Sequence, residues 1–323
     1  MEKDLLREFM SYPSLYGKIL RHRDSILPQK LTFGEEKDQY ILHFAPQNAA
    51  KGPVIFYLHG GGWNSGNPLF FRFIGQRFAQ EGYHCIMPGY RKTPAFSWPA
   101  QEEDVCAAYG RMLSYLKRRK IAADQIIVAG SSAGAHLGAL LCYDDELRKY
   151  PGLDVDRICG FAGLGGVYYF GGKHSMVLRI LMRDLFAGQE KQKGKRKDRN
   201  PEGNQAAQDE QIWEEVRQAQ RKEKQMRGEP YRKLRRGQRI PMLLIHGKGD
   251  GVVSYQNAEA FCDRAVELGI PAEFFTAPAG KDSHSVYTAG CFLEERNDCE
   301  TLERLFGWLE KRSQIPHSRP QGI

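Results

Sequence analysis

No stretch of the chain approaches the roughly 18 consecutive apolar residues that a membrane-spanning helix needs, so no membrane span is expected. The opening Met1-Glu2-Lys3-Asp4 is charged and leads into no apolar signal region, which argues against secretion. Paired cysteine spacing is missing as well. The seven cysteines (Cys85, Cys106, Cys142, Cys159, Cys262, Cys291, Cys299) contain no C-x-x-C and are odd in number. Several fall in apolar runs, as small buried residues do. This fits a reducing, cytoplasmic setting better than a disulfide framework. No cluster has metal-ligand spacing, so neither metal nor other cofactor is expected.

An excess of one charge is absent from most of the chain. The net charge is +8, but Gln189 to Arg239 holds 16 Lys or Arg against 9 Asp or Glu, a net of +7. The basic character belongs to one segment and not to a fold-wide groove, which excludes nucleic acid as the expected partner. What is present suffices for a large core: 323 residues, 41% hydrophobic and 27% charged. That length suits a single α/β domain over residues 1–323 carrying an insertion.

Apolar runs and helical spacings alternate along the chain. Residues 4–20 have helical spacing, with Pro13 and Gly17 expected to interrupt it. Leu31 to Phe33 and Tyr40 to Phe44 read as short strands. Val54 to Leu58 (VIFYL) is continuously apolar, as a strand buried on both faces must be. Further strands are expected at His84 to Met87, Ile126 to Val128, Arg157 to Leu164, Pro241 to Ile245 and Ala272 to Thr276. Helices are expected at Arg72 to Gln80, Gln101 to Lys117, Tyr255 to Leu268 and Cys299 to Lys311. Strands of this kind between helices indicate a mostly parallel sheet covered on both faces. In such sheets the chemistry sits at the carboxyl ends of the strands.

The polar signatures fall there. Ile126 to Leu141 reads strand, sharp turn, helix, with Ser132 at the centre of Gly130-Ser131-Ser132-Ala133-Gly134. A nucleophile on so tight a turn needs small neighbours two residues before and after. A Cβ at Gly130 or Gly134 would strike the adjoining strand or helix, and the helix N-terminus favours developing negative charge. A serine hydroxyl needs a base, and the base an orienting acid. Asp250, just past the PMLLI strand, and His284, in the loop 278–285 past the EFFT strand, supply them in the chain order Ser, Asp, His. Asp282 is the rival acid, but it lies too close in sequence to reach the far nitrogen of the same imidazole. Backbone N–H groups of Gly61, Gly62 and Ala133 could hold an oxyanion. His59 reads as an anchor for the glycine loop, His136 as a packed or surface helix residue, and His246 as structural. Trp63 and Tyr168 are candidate pocket walls, with Phe70, Phe71, Phe96 and Trp98 as further aromatics near them.

HGGGW from His59, GSSAG around Ser132, HGKGDGVV from His246 and the His284 loop together resemble the α/β-hydrolase superfamily. Within it they are similar to the esterase/lipase group related to hormone-sensitive lipases, feruloyl and acetylxylan esterases, and kynurenine formamidases. Gly89-Tyr90-Arg91-Lys92-Thr93-Pro94, with Phe96, Pro99-Ala100-Gln101 and Asp104, resembles that group too. The resemblance runs roughly from Val54 to Trp308, without the charged insert. It implies an eight-stranded, mostly parallel sheet and carries Ser132, Asp250 and His284 over as a catalytic triad. The function it implies is a serine hydrolase of small carboxylic esters, acting on a small-molecule ester through an acyl-enzyme. An amidase such as a formamidase, or a peptidase, would use the same triad; a catalytically silent binding protein is the reading from another class. Family members place cap elements between the serine and acid strands, here about 168–238. The apolar stretch Met176 to Leu185 is expected to be a helix packed on the body. Residues 189–229 are expected to be a mobile, charged excursion, with Trp213 its contact point, because they bury too little apolar surface to offset their ordering entropy.

Overall fold

The buried strand β3 (Val54–Leu58) shows how the core is divided. Val54, Phe56 and Leu58 point into one apolar cluster, and Ile55 and Tyr57 into a second on the opposite face. Side chains alternate across a strand, so a strand without polar residues must be covered twice. The computed structural model describes residues 2–187 and 203–314, and only the backbone of 2, 3 and 203–213. Among these, β1 (Gln29–Thr32), β2 (Tyr40–Phe44), β3, β4 (Cys85–Pro88), β5 (Ile126–Ser131), β6 (Ile158–Leu164), β7 (Met242–Gly247) and β8 (Ala272–Ala277) form one eight-stranded sheet. Its order is β1-β2-β4-β3-β5-β6-β7-β8. The β1–β2 and β2–β4 pairs are antiparallel, and every later pair is parallel. The expected fold class, an α/β-hydrolase fold with helices on both faces of a mostly parallel sheet, is the one observed.

Helices α3 (Ala100–Arg118), α4 (Ala133–Tyr143) and α7 (Tyr255–Glu267) bury residues in the first cluster. Helices α2 (Arg72–Gln80) and α9 (Glu300–Ser313) cover the other face through Phe73, Ile74, Phe78, Leu302, Leu305 and Trp308. The parallel strands β3, β5 and β7 therefore end on one rim, and the loops that follow them carry the polar signatures.

The N-terminal segment differs from its expected form. Helix α1 (Glu2–Arg21) runs unbroken through Pro13 and Gly17. Proline inside a helix costs about 3 kcal/mol. The cost is offset because Glu8, Ser11, Tyr12, Leu15 and Ile19, spaced at three and four residues, all face the body while Pro13 is exposed. The charged segment also departs from its expectation in part. Helix α5 (Met176–Leu185) lies where expected, and α6 (Gly203–Arg227) follows. Residues 188–202 and the Trp213 side chain lie outside the described residues. From Glu214 onward α6 is mostly exposed, but Gly228 and Glu229 are buried, and Glu229 accepts the Phe170 N–H at 2.6 Å. Gly228 and Glu229, within the span expected to be mobile, are thus held against the body.

The turn after β5 depends on two close approaches. A Cβ on Gly130 would lie 2.8 Å from the Gly134 carbonyl group, and one on Gly134 would overlap the Leu58 carbonyl oxygen of β3. Backbone cannot yield as a side chain does. Gly134→Ala is therefore expected to destabilise the fold by about 3 kcal/mol, the upper end for overpacking. Urea denaturation checks this; an unchanged midpoint would show that β3 and α4 are not in such contact.

Candidate active site

Ser132 sits between the end of β5 and the start of α4 with φ 52° and ψ −121°. A non-glycine residue held there costs about 1–3 kcal/mol and persists only when its surroundings fix it. They do. The Ser132 N–H donates to the Leu164 carbonyl at 2.8 Å, and its carbonyl accepts the His136 N–H at 3.1 Å. The two glycines flanking it leave the room described above. Ser131, by contrast, is buried at the end of the strand.

Asp250 follows β7 and is buried. Its Oδ1 accepts the N–H groups of Val252 and Val253, each at 2.8 Å. Its Oδ2 accepts the Tyr287 hydroxyl at 2.5 Å and lies 2.7 Å from His284 Nδ1. His246 Nε2 lies 3.3 Å away and 3.0 Å from the Val253 carbonyl. Burial pushes the Asp250 carboxyl pKa up, but His284 and His246 outweigh it and hold it well below the usual carboxylate range. Asp250 therefore stays ionised and fixes the proton of His284 on Nδ1, leaving Nε2 free.

His284 was expected in a loop; it is instead the first residue of the short helix α8 (His284–Thr288). Burial pulls its pKa down, but the charge and hydrogen bond of Asp250, with a contribution from Glu8, outweigh this and raise it above the ordinary value. Asp282 does not approach the imidazole. Its Oδ2 accepts the Gly249 N–H at 2.8 Å, and its Oδ1 accepts Gly280 N–H and Arg7, each at 3.2 Å. It braces the turn before Asp250.

The glycine loop after β3 lies against the serine. A Cβ on Gly60 would stand 3.3 Å from the Ser132 Cβ. Gly61 and Gly62 have φ of 119° and 59°, and the Gly61 carbonyl accepts the N–H groups of Asn64 at 3.2 Å and Ser65 at 2.9 Å. That turn commits the Gly61 carbonyl to backbone hydrogen bonds. Ala133, first in α4, carries an N–H with no partner within its helix. His59 anchors the loop, its Nδ1 donating to the Gly60 carbonyl at 2.7 Å while its ring stacks on Tyr90 at 4.5 Å. His136 is buried: its Nδ1 accepts the Trp63 indole N–H at 3.3 Å and its Nε2 donates to the Gly228 carbonyl at 2.8 Å. Burial brings its pKa down to about 4, so it stays neutral and ties the glycine loop to the end of α6.

Ser132, His284, Gly61 and Gly62 line one cavity of about 360 Å³. Much of the rest of the wall is apolar: Tyr12, Leu15 and Tyr16 of α1, Phe70 and Phe71, and Val177, Leu178 and Leu181 of α5, with uncharged polar side chains such as Asn64, Asn67 and Thr288 among them. No Asp, Glu, Lys or Arg is among the described lining residues. Trp63 is in the wall. Tyr168 is not. It is fully buried and stacks on Phe261 at 4.6 Å, because Asn257 Oδ1 captures its backbone N–H at 2.6 Å and turns the chain away from the pocket. Phe96 and Trp98 also lie outside this lining. The α1 wall escaped the sequence reading. Residues 4–20 have helical spacing, but Pro13 and Gly17 are residues that ordinarily interrupt a helix.

The chain is 27% identical over 154 residues to esterase LipC of Mycobacterium tuberculosis, covering 45% of this chain and 38% of that protein. It is 30% identical over 144 residues to the probable carboxylic ester hydrolase LipM of the same organism, covering 41% and 32%. The chain thus matches less than two-fifths of the length of either relative. Among solved structures it superimposes on Thermogutta terrifontis esterase 2 phosphonylated by sarin with a TM-score of 0.63 at 19% identity, covering 88% of this chain and 94% of that one. A truncated carbohydrate esterase from gut microbiota gives 0.65 at 17% identity, covering 91% and 99%. These structural likenesses extend the fold over nearly the whole chain. The BD-FAE family model matches residues 42–264, more than half of the sequence and a span that holds the glycine loop, Ser132 and Asp250, and the chain belongs to that family.

Proposed function

We propose that the protein is a serine hydrolase of small, uncharged carboxylic esters, working through an acyl-enzyme. The observation that carries this reading is the 2.7 Å contact of His284 Nδ1 with the buried Asp250, with His284 and Ser132 walls of one apolar cavity. Ser132 Oγ attacks the ester carbonyl while His284 Nε2 takes its proton. The carbonyl oxygen, now negative, is held by N–H groups of Gly61, Gly62 and Ala133. His284 returns the proton to the leaving alcohol. Water, activated by the same imidazole, then attacks the acyl-serine and releases the acid. A cavity whose described walls include no Asp, Glu, Lys or Arg penalises a charged acyl group. Helix α5 belongs to the proposed cap; Leu181 reaches over Gly62, where a Cβ would come within 2.8 Å of it. The seven free thiols, mostly buried, suit a reducing cytoplasmic compartment.

The test is labelling with a fluorophosphonate followed by peptide mapping, and a turnover screen across p-nitrophenyl esters of increasing chain length and N-formyl amides. The expected result is a label on Ser132 and turnover of short-chain esters. A label on Ser131, or turnover confined to formyl amides, would contradict the proposal.

The pH dependence follows from the raised pKa of His284. The general base must be neutral, and its proton is held more tightly than by a free imidazole of about 6.5. As pH falls, kcat/KM is therefore expected to drop through a midpoint above that value. A single acidic limb centred well below it would mean that Asp250 does not hold the imidazole in the working enzyme.

A further inference from the structure

Helix α1 touches the segment that carries His284 through three consecutive polar contacts. Arg7 pairs with Asp282 at 3.2 Å. Ser11 Oγ and Ser285 Oγ are 2.7 Å apart. Between them, Glu8 Oε1 accepts the backbone N–H of Ser285, the residue after His284, at 2.7 Å. Glu8 is 1% exposed, and its second oxygen, also buried, has no hydrogen-bond partner among the described residues. The one arginine beside it in sequence points to Asp282.

We propose that Glu8 is a positioning residue for His284, fixing the backbone that carries the imidazole and setting a buried negative charge beside it. The inference rests on the reading of His284 as the general base. An uncharged oxygen, from glutamine or serine, would accept the Ser285 N–H as well. A carboxylate buried without a cationic partner among the described residues is costlier to keep than an amide. The excess is recovered where a positive charge appears, and the imidazolium formed during turnover is that charge. Little solvent screens the two groups from each other, since both are buried.

The other groups around His284 do not substitute for this charge. Asp250 holds Nδ1, and Tyr287 and His246 act on the imidazole through Asp250. Asp282 and Arg7 offset each other. Tyr12, on the same helix, is pushed up to about 12 by burial, Glu8 and Asp250, and so is neutral at working pH.

Glu8→Gln keeps the acceptor and removes the charge; Glu8→Ala removes both. In Glu8→Gln the His284 titration midpoint, followed by NMR on protein with labelled histidine, is expected to fall by ~0.5–1 pH unit. The acidic limb of kcat/KM should move down with it. In Glu8→Ala the Ser285 N–H is also left unpaired, so kcat should fall a further ~10-fold while KM for a short ester stays nearly constant. If Glu8→Ala does not fold, Glu8→Gln alone decides. An unmoved His284 midpoint in Glu8→Gln overturns the proposal. So does a Glu8→Ala protein that melts earlier but keeps kcat and its pH profile, since α1 would then be only a support. The NMR reading needs no substrate. Were the wild type inactive on every ester while the midpoint still moved, the esterase reading would fail and the Glu8 coupling would stand.

Discussion

Ser132→Ala is expected to lower kcat by ~10³-fold or more on any ester the wild type hydrolyses, because groups that act as a unit lose most of their effect with one member. The expectation is sharpened by the conformation of this residue. Ser132 holds φ 52° against steric cost, and its N–H and carbonyl are both committed to neighbouring backbone. Alanine has the same backbone preference and nearly the same volume, so the turn should survive. The variant should unfold within ~0.5 kcal/mol of the wild type while losing turnover, since surface-type changes without packing loss lie in that range. Ser131→Ala is the control. Ser131 is buried at the strand end, and its loss should cost far less than 10-fold. Stopped-flow or endpoint assays with a p-nitrophenyl ester, alongside urea denaturation, separate chemistry from folding. Equal losses in the two variants, or full activity in Ser132→Ala, would remove the serine from its proposed role.

The strands were the most legible part of the chain, and the reason is their burial. Tyr40–Phe44 and Val54–Leu58 were expected with the bounds they have, because a strand covered on both faces must be apolar throughout and turns end it sharply. The helix Arg72–Gln80, with Phe73, Ile74 and Phe78 at helical spacing, is equally plain. Long-range events were not legible. That α1 stays helical through Pro13 depends on contacts with Ser285 and the pocket, some 270 residues away. His284 was read in a loop because a five-residue helix leaves no periodic signal. Ser132, Asp250 and His284 stand out as candidates in local motifs, since tight turns and strand ends dictate small or polar residues. The pocket wall could not. Tyr168 and Trp63 looked alike in sequence, and only the capture of the Tyr168 backbone by Asn257 sends one away from the cavity. Glu8 carried no signal at all: a glutamate at the start of an amphipathic helix is common, and its burial is decided by α8.

The second large effect should come from Asp250→Asn. The carboxylate accepts four hydrogen bonds, from the N–H groups of Val252 and Val253, the Tyr287 hydroxyl and His284 Nδ1. Asparagine keeps one acceptor oxygen, and the two backbone donors on the Oδ1 side will claim it. The amide NH₂ then faces His284 Nδ1 and can only donate. The imidazole must present a lone pair on Nδ1 and carry its proton on Nε2, which turns the wrong tautomer toward Ser132. The charge that supports the imidazolium is lost at the same time. A fall of ~10⁴-fold in kcat is expected, the size seen for the corresponding change in a serine protease triad. Two further signatures should accompany it. The imidazole loses its raised pKa, so the acidic limb of kcat/KM shifts to lower pH and what activity remains rises with hydroxide. The Tyr287 hydroxyl is left facing an NH₂ group, which should lower stability by about 1–3 kcal/mol. Asp282→Asn serves as the comparison. It loosens the Gly249 turn and the Arg7 contact but leaves His284 untouched, so its turnover should remain within about tenfold of the wild type. Steady-state kinetics on the two variants at several pH values gives the ranking. If Asp282→Asn proves the more damaging, the acid role passes to Asp282, and the 2.7 Å contact at Asp250 is a support for the fold alone.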